Sequence, residues 1–267
     1  MSGVGLKIVV TVKLVPDTNA DKRIDPATMR LVRTGVDTVL NPFDEYAIEA
    51  ALQLRDALAD GSTVTIFSMT PASGREVVRK ALAMGADDAV MLSDEGLSGS
   101  DLWATAYAMA HGIKAAGFDL VLTGTQSTDA ISGDLPGMLA EYLGVPGLTY
   151  ARELSIDAGR LRVKRETETG YQTVSAALPA LASVTKSANE PRYPSLKGIM
   201  GAKKKEIRTL TLADIALTKA VGSDGARTEL LELATPPARE KGRTVTAADG
   251  AAGAQAVMDF LTRRKLL

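Results

Sequence analysis

Residues 120–143 read LVLTGTQSTDAISGDLPGMLAEYL, and they combine a strand, a loop and a helix. Residues 120–123 are a short apolar run typical of a buried parallel strand. Residues 125–132, here termed the polar loop, lead into a predicted helix over residues 133–143. A strand, a loop and a helix in this order form the repeating unit of a parallel α/β sheet.

The same unit recurs in the part of the chain that precedes this stretch. The predicted strands are residues 6–13, 63–69 and 89–92, and the predicted helices are residues 74–84, 101–116 and a helix that starts at Asn41, a candidate N-cap. Crossovers of this length imply right-handed βαβ units. We therefore expect an α/β fold with a doubly wound, mainly parallel sheet of the flavodoxin-like, adenine-nucleotide-binding kind.

The pattern changes after Thr149. Four further strands are predicted at residues 153–156, 161–166, 171–177 and 180–185. We expect these strands to extend the sheet in antiparallel order.

From Lys186 the regular alternation stops. Two helical pieces are predicted beyond it, at residues 212–217 and 254–265. A loop-rich segment of this length rarely closes its own core. We therefore expect residues 1–187 to form the α/β domain and residues 188–267 to form an arm that packs on a partner, with a disordered tail as the alternative.

The composition excludes several classes of protein. The 267 residues include 31 basic and 32 acidic ones, so the chain lacks the positive charge of a general nucleic-acid binder. It has no cysteine, which excludes disulfides, thiolate nucleophiles and cysteine-held metals. Its one histidine, His111, is predicted to pack on a helix, and no catalytic or metal-binding constellation is apparent. Neither a membrane span nor an export signal is expected.

The polar loop is the most informative candidate site, because ligands bind at the carboxyl ends of parallel strands. Hydroxyl, amide and carboxylate side chains stand there directly before a helix N-terminus, which attracts anions such as phosphate. Asp129 is expected to accept hydrogen bonds from ribose hydroxyls or loop amides. An equally weighted alternative is that Asp129 and Ser132 simply cap the helix. The chain has neither a G-x-G-x-x-G motif nor a nucleotide-triphosphatase loop.

Several separated motifs, in order along the chain, resemble those of electron transfer flavoprotein beta subunits. They are residues 189–196 (NEPRYPSL), 199–200 (IM) and 202–205 (AKKK); residues 163–165 (VKR) with Glu168, Gly170, Gln172 and Pro179; residues 41–43 (NPF) with 49–51 (EAA); and residues 81–87 (ALAMGAD).

The resemblance implies a heterodimer with a larger alpha subunit and two bound nucleotides. One FAD would lie mainly in the alpha subunit, near the interface, and Phe43 would correspond to an aromatic residue that approaches the flavin. A structural AMP would occupy the beta subunit's own site. The cofactor-binding positions that the resemblance carries over are Thr11, Asn41, Pro42, Phe43, Asp44, Met69, Gln126, Ser127, Thr128, Asp129, Ala130, Ile131, Ser132, Gly133, Asp134, Leu135, Pro136 and Gly137.

The resemblance also implies an electron carrier rather than an enzyme. Such a carrier accepts electrons from flavoprotein dehydrogenases of the acyl-CoA dehydrogenase type and passes them to a membrane quinone oxidoreductase. Leu196 matches the leucine that docks into a dehydrogenase pocket, with Ile199 and Met200 beside it. The expected location is the bacterial cytoplasm, with the mitochondrial matrix as the alternative.

Three departures from the family pattern leave the second nucleotide open. Thr169 and Thr18 replace residues that relatives commonly carry, and residues 129–132 (DAIS) match neither the AMP-binding nor the electron-bifurcating pattern. Residues 16–18 (PDT) and 25–26 (DP) partly resemble the bifurcating group, which binds a second FAD in place of AMP and oxidises NADH. A stand-alone nucleotide-binding protein with a similar sheet is a third alternative.

Overall fold

The structure, a computed structural model, describes residues 5–20, 22–33, 35–234, 237, 242 and 244–267. Its contacts divide the chain into two units, Met1–Glu229 and Leu230–Leu267. The described ranges leave out residues 235–236, 238–241 and 243 of the expected arm. They also leave out residues 1–4, which belong to the stretch where no export signal was expected.

The described residues of the first unit hold thirteen strands and six α-helices. The strands are β1 (Lys7–Thr11), β2 (Leu14–Pro16), β3 (Ile24–Asp25), β4 (Arg30–Leu31), β5 (Thr38–Leu40), β6 (Thr63–Met69), β7 (Asp88–Leu92), β8 (Leu120–Gly124), β9 (Gly147–Asp157), β10 (Arg160–Thr167), β11 (Gly170–Ala177), β12 (Ala180–Val184) and β13 (Ile207–Leu210). The helices are α1 (Pro42–Leu58), α2 (Arg75–Ala83), α3 (Leu102–Ala116), α4 (Leu135–Leu143), α5 (Leu196–Lys204) and α6 (Gly222–Gly225). Single 3₁₀ turns occupy Ala72–Gly74, Glu95–Leu97 and Leu212–Asp214.

Nine of these strands form one sheet in the order β11-β10-β9-β12-β8-β1-β6-β7-β13. The central pairs are parallel, which confirms the predicted doubly wound α/β fold. Buried residues of α1 and α2 belong to one apolar cluster, and those of α3 and α4 belong to a second one. Two small antiparallel sheets, β2 with β5 and β3 with β4, lie in the connection between β1 and α1.

The chain reverses its direction across the sheet at β1. From β1 it proceeds through β6 to β7 on one side, and it then returns to place β8 on the other side of β1. The carboxyl ends of β1 and β8 therefore flank a topological switch point, where open α/β sheets leave a crevice for a ligand. The polar loop follows β8 directly at this point.

The antiparallel prediction is confirmed for three strands and wrong for the fourth. Strand β10 pairs antiparallel with both β9 and β11. Strand β12, however, is fully buried and runs parallel to β8 on one side and to β9 on the other. Its small and apolar residues suit a central strand with both faces covered, which alternation alone could not reveal.

The expectation that regular structure stops at Lys186 is wrong for residues 196–210. Helix α5 packs on α2, and β13 adds a parallel edge strand beside β7. The first compact unit accordingly runs to Glu229. The helical piece expected at residues 212–217 is a 3₁₀ turn followed by irregular chain.

The second unit contains one helix, α7 (Gly250–Arg263), among its described residues. Asp249 caps it by accepting a hydrogen bond from the backbone N–H of Ala252 at 2.8 Å. Apolar side chains of α7, including Val257 and Phe260, are exposed. In the described ranges of the chain, none of the helices is long and apolar enough to cross a bilayer.

Candidate functional site

The Asn41 side chain joins two segments at the carboxyl edge of the sheet, the polar loop and the start of α1. Its side-chain N–H groups donate to the Gln126 carbonyl and to Asp44 Oδ1, both at 2.9 Å. Its side-chain oxygen accepts from the backbone N–H of Thr128 at 3.2 Å. Asn41 stands at the N-cap position of α1, as predicted, but its side chain makes no capping bond. The amide instead fixes the polar loop against the start of the helix.

Asp44 lies beneath this junction and is buried. Its Oδ2 accepts from the backbone N–H of Lys13 at 2.8 Å, just after β1. Burial raises the pKa of the Asp44 carboxyl to about 7, although the bonds from Asn41 and Lys13 oppose this rise. Gly124, at the end of β8, leaves room for the carboxyl, since a Cβ there would come within 2.6 Å of Asp44 Oδ1.

Asp129 holds the polar loop to two basic side chains. Its Oδ1 accepts from Lys13 Nζ at 2.8 Å, and its Oδ2 accepts from Arg33 at 2.6 Å. Burial opposes ionisation, yet the bonds from Lys13 and Arg33 prevail and lower the pKa of Asp129 to about 2. Within the described chain, the donors to Asp129 are these two cations and not the loop amides that the sequence led us to expect.

The helix that follows the polar loop begins at Leu135, two residues later than predicted. Asp134 is its N-cap residue and makes no side-chain capping bond. The alternative that Asp129 and Ser132 simply cap this helix is therefore wrong. The N-terminus of α4 has a positive partial charge without a capping side chain to satisfy it.

Three further features of the polar loop distinguish it from an ordinary connection. The hydroxyl oxygen of Thr128 is buried and has no hydrogen-bond partner among the described residues. Ile131 adopts a φ of +56°, a conformation that is strained for a β-branched residue. Lys22 donates to the Thr128 carbonyl at 2.9 Å and adds a third cation beside the loop.

The other predicted positions lie at the ends of strands and helices on this edge of the sheet. Thr11 ends β1, and Met69 ends the neighbouring strand β6. Neither side chain makes a hydrogen bond to the polar loop within the described part of the chain. Pro42 and Phe43 form the first turn of α1, and Pro136 and Gly137 the first turn of α4.

The predicted docking residues form a second, separate surface on α5. Leu196, Ile199 and Met200 are exposed to 82%, 41% and 65%, respectively. Their spacing of three and four residues places them on one face of the helix. This apolar face is turned towards solvent in the first unit.

Sequence reasoning missed the three cations around the polar loop, Lys13, Lys22 and Arg33. Lys13 lies two residues past the end of the first buried strand, so its place at the carboxyl edge could have been inferred. Arg33 is 96 residues away from Asp129 in sequence, and no local pattern joins the two.

Comparisons with known proteins bear on this arrangement. The sequence model of one protein family, the electron transfer flavoprotein domain, matches residues 28–215. The electron transfer flavoprotein subunit beta of Mycobacterium tuberculosis (strain ATCC 25618 / H37Rv) is 42% identical over 265 residues, which cover 97% of this chain and 99% of the relative. The subunit of the same name from Megasphaera elsdenii is 40% identical over 262 residues, 95% of this chain and 96% of the relative.

A third relative has a different name. It is the caffeyl-CoA reductase-Etf complex subunit CarD of Acetobacterium woodii, 38% identical over 243 residues, which cover 90% of this chain and 92% of the relative. The family match spans most of the chain, and the relatives align over nearly its whole length. The chain therefore belongs to the electron transfer flavoprotein family, among its beta subunits.

Proposed function

We propose that this chain is the beta subunit of a heterodimeric electron carrier that accepts electrons from flavoprotein dehydrogenases of the acyl-CoA dehydrogenase type and delivers them to a membrane quinone oxidoreductase. Membership of the family supports an electron-transfer role. The observation that supports docking to a dehydrogenase is the apolar face of α5, with Leu196 82% exposed on a helix that is itself firmly packed. An exposed leucine on a rigid element is suited to a brief complex.

The polar loop fits an adenine nucleotide such as AMP. Three cations, Lys13, Lys22 and Arg33, surround the loop, and the Asp129 carboxylate accepts from two of them. The uncapped N-terminus of α4 and the unpartnered hydroxyl of Thr128 provide donors for phosphate or ribose oxygens. The excess of positive charge supports a ligand that carries phosphate.

FAD, when bound, supplies the redox chemistry. We propose that the alpha subunit holds it and that this chain contributes Phe43. The start of α1, where Phe43 lies, is fixed by Asn41 and by the buried Asp44. These bonds give the first turn of α1 one defined position, which a residue beside a cofactor needs.

The partner we propose for the second unit is the alpha subunit. The exposed apolar side chains of α7, Val257, Met258 and Phe260, would be buried in such a complex. The relatives named above are bacterial, which supports the bacterial cytoplasm as the location rather than a mitochondrial matrix.

Electron acceptance tests this proposal directly. This chain is co-purified with its alpha subunit. Under anaerobic conditions, the complex is then mixed with an acyl-CoA dehydrogenase that has been reduced by its acyl-CoA substrate. Bleaching of the complex's flavin absorbance at a rate that saturates with dehydrogenase concentration is the expected result. A flavin that stays oxidised contradicts the proposal.

The second candidate function is electron bifurcation with NADH as the donor. Residues 16–18 and 25–26, which partly resemble the bifurcating group, favour it. The same anaerobic assay with NADH in place of the dehydrogenase separates the two. The carrier stays oxidised, whereas rapid reduction by NADH favours bifurcation and a second FAD at the polar loop.

A further inference from the structure

Helix α5, the docking helix, is attached to α2 along its inner face. Ala202 is buried there, and Arg79 donates to the Ala202 carbonyl at 2.5 Å. Gly198 lies so close to α2 that a Cβ would come within 2.5 Å of the Ala83 carbonyl oxygen. These contacts fix the helix from its third residue onward, whereas the position of Leu196, its first residue, also depends on the segment that precedes it.

Those residues, 189–195, form neither helix nor strand. No ladder of backbone hydrogen bonds therefore fixes their path, and side chains must do so. Asn189 donates to the Tyr46 carbonyl on α1 at 3.0 Å. The remaining attachment to α1 is made by Arg192.

Arg192 binds Glu49 of α1 with two prongs of its guanidinium. Its Nε lies 2.7 Å from Glu49 Oε2, and its Nη2 lies 3.0 Å from Oε1. The backbone N–H of Arg192 donates to the same Oε2 at 3.2 Å. The Glu49 carboxylate thus holds both the side chain and the main chain of the segment, and such bidentate pairs fix orientation as well as distance. A second carboxylate of α1, that of Asp56, lies farther from the guanidinium, at 3.4 Å, and does not bond to the main chain of Arg192.

The two residues of this ion pair differ in their exposure to solvent. Its side chain is only 5% exposed, whereas that of Arg192 is 40% exposed. Gln53 donates to Glu49 Oε1 at 3.0 Å and steadies the carboxylate from its own helix. The bonds from Arg192 outweigh burial and lower the pKa of Glu49, so the carboxylate is ionised at neutral pH. A residue this deeply buried has no surface with which to touch a docking partner.

We propose that Glu49 is a positioning residue for electron transfer: through Arg192 it sets the direction in which the docking helix presents Leu196. This inference rests on the proposed docking function of α5. It assigns to the middle of α1 a role in partner binding, although that part of α1 contacts no partner itself. The start of the same helix carries Phe43. Helix α1 therefore carries the residue proposed to face the cofactor and also binds the segment that leads to the docking helix.

The test uses isosteric variants of the complex purified with its alpha subunit. Glu49→Gln removes the charge that Arg192 binds. Glu153→Gln is the matched control, because it makes the same change in an ion pair, that of Glu153 with Lys164 at 2.9 Å, and neither residue bonds to Arg192 or to α1. Arg192→Gln, the Glu49→Gln/Arg192→Gln double variant and Leu196→Ala complete the set. Flavin content is measured for every variant.

Steady-state reduction by an acyl-CoA dehydrogenase gives KM and kcat for each complex. Glu49→Gln is expected to raise KM about fivefold and leave kcat and flavin content unchanged, and the double variant is expected to be no worse than Arg192→Gln alone, since coupled residues are not additive. Hydrogen exchange of residues 189–204 is expected to become faster in Glu49→Gln and to stay unchanged in Glu153→Gln.

Two results overturn the inference, and they are distinguishable. If Leu196→Ala raises KM while Glu49→Gln leaves it unchanged, Glu49 has no positioning role and the docking function stands. If Leu196→Ala itself leaves KM unchanged, α5 is not the docking helix, and the proposed function fails together with the inference. A third comparison uses the double variant. If Arg192→Gln raises KM by the same factor in the Glu49→Gln variant as in the wild type, Arg192 contacts the partner directly, and this result also contradicts positioning by Glu49.

Discussion

The polar loop and the docking helix are built in opposite ways. Around the polar loop, side chains of distant segments bond to one another and are largely buried, as Asn41, Asp44 and Asp129 illustrate. On the docking helix, Arg79 bonds to the inner face at Ala202, and the outer face presents apolar side chains to solvent. One surface is completed within the chain, and the other requires a partner to cover it.

The difference matches what the two proposed ligands require. A nucleotide that stays bound benefits from a site whose donors and charges are already in place. A carrier must release each partner after transfer, so its docking surface should be small and should depend on a few anchors. The following predictions test these two descriptions, in order of decreasing effect.

The largest expected effect is on the free energy of unfolding, and it comes from the buried carboxyl of Asp44. Because its folded pKa of about 7 lies above its ordinary value of 3.8, the folded state retains a proton that the unfolded state loses. This contribution to stability is therefore complete below about pH 4, declines as the pH rises and is lost above about pH 7. The shift corresponds to at most about 4 kcal/mol.

Urea unfolding of the complex between pH 4 and 8 measures this effect. Asp44→Asn cannot titrate, so the difference in unfolding free energy between wild type and variant should change with pH over that range. A difference that is the same at every pH contradicts the buried, proton-binding state of Asp44.

Gly124→Ala tests how tightly the residues beneath the polar loop are packed. The new Cβ would lie 2.6 Å from Asp44 Oδ1 and 2.8 Å from the backbone carbonyl carbon of Phe43, neither of which can move freely. We expect a loss of about 1–3 kcal/mol in unfolding free energy. Gly137→Ala is the control, because its Cβ would meet nothing within 4 Å and alanine favours a helix. Equal stability of the two variants contradicts the packing described here.

Leu196→Ala tests the docking side. Truncating a central apolar anchor costs about 2 kcal/mol of binding, which is roughly a thirtyfold rise in KM for the dehydrogenase. Flavin content should stay unchanged, because the residue proposed to approach the flavin, Phe43, lies on α1, whereas Leu196 lies on α5. Leu196→Met, which keeps the apolar volume, should retain most of the affinity. Loss of flavin in Leu196→Ala is the contrary outcome.

The smallest effect is the strain at Ile131. Asparagine adopts positive φ more readily than isoleucine, and Ile131 is exposed, so Ile131→Asn should raise the unfolding free energy by about 0.5–1 kcal/mol. Ile24→Asn is the control, since Ile24 is also exposed but lies in strand β3. If both substitutions change stability equally, the loop is not strained at Ile131.

Local patterns predicted much of the sheet. The apolar, β-branched run at residues 63–69 gave β6 with its bounds, and helical periodicity gave α2 and α3 to within two residues at either end. The docking helix escaped prediction for a physical reason. Its apolar residues lie on the exposed face, and its buried face is formed by glycine and alanine at positions 198 and 202, so its pattern is the reverse of an ordinary surface helix.

The site was predicted in outline and not in its bonds. The position of the polar loop after a buried strand follows from general rules for parallel sheets. The pairing of Asp129 with Lys13 and Arg33, and that of Arg192 with Glu49, join residues that are 96 to 143 positions apart. Such pairs depend on how the layers are assembled, which no local sequence pattern specifies.

The nucleotide content of the purified complex tests the central claim most directly. We predict one FAD and one AMP per heterodimer for the wild type, and retained FAD with lost AMP for Asp129→Asn, because that substitution releases the cations that hold the polar loop in place. Two FAD per heterodimer, or AMP retained in full by Asp129→Asn, would contradict the account.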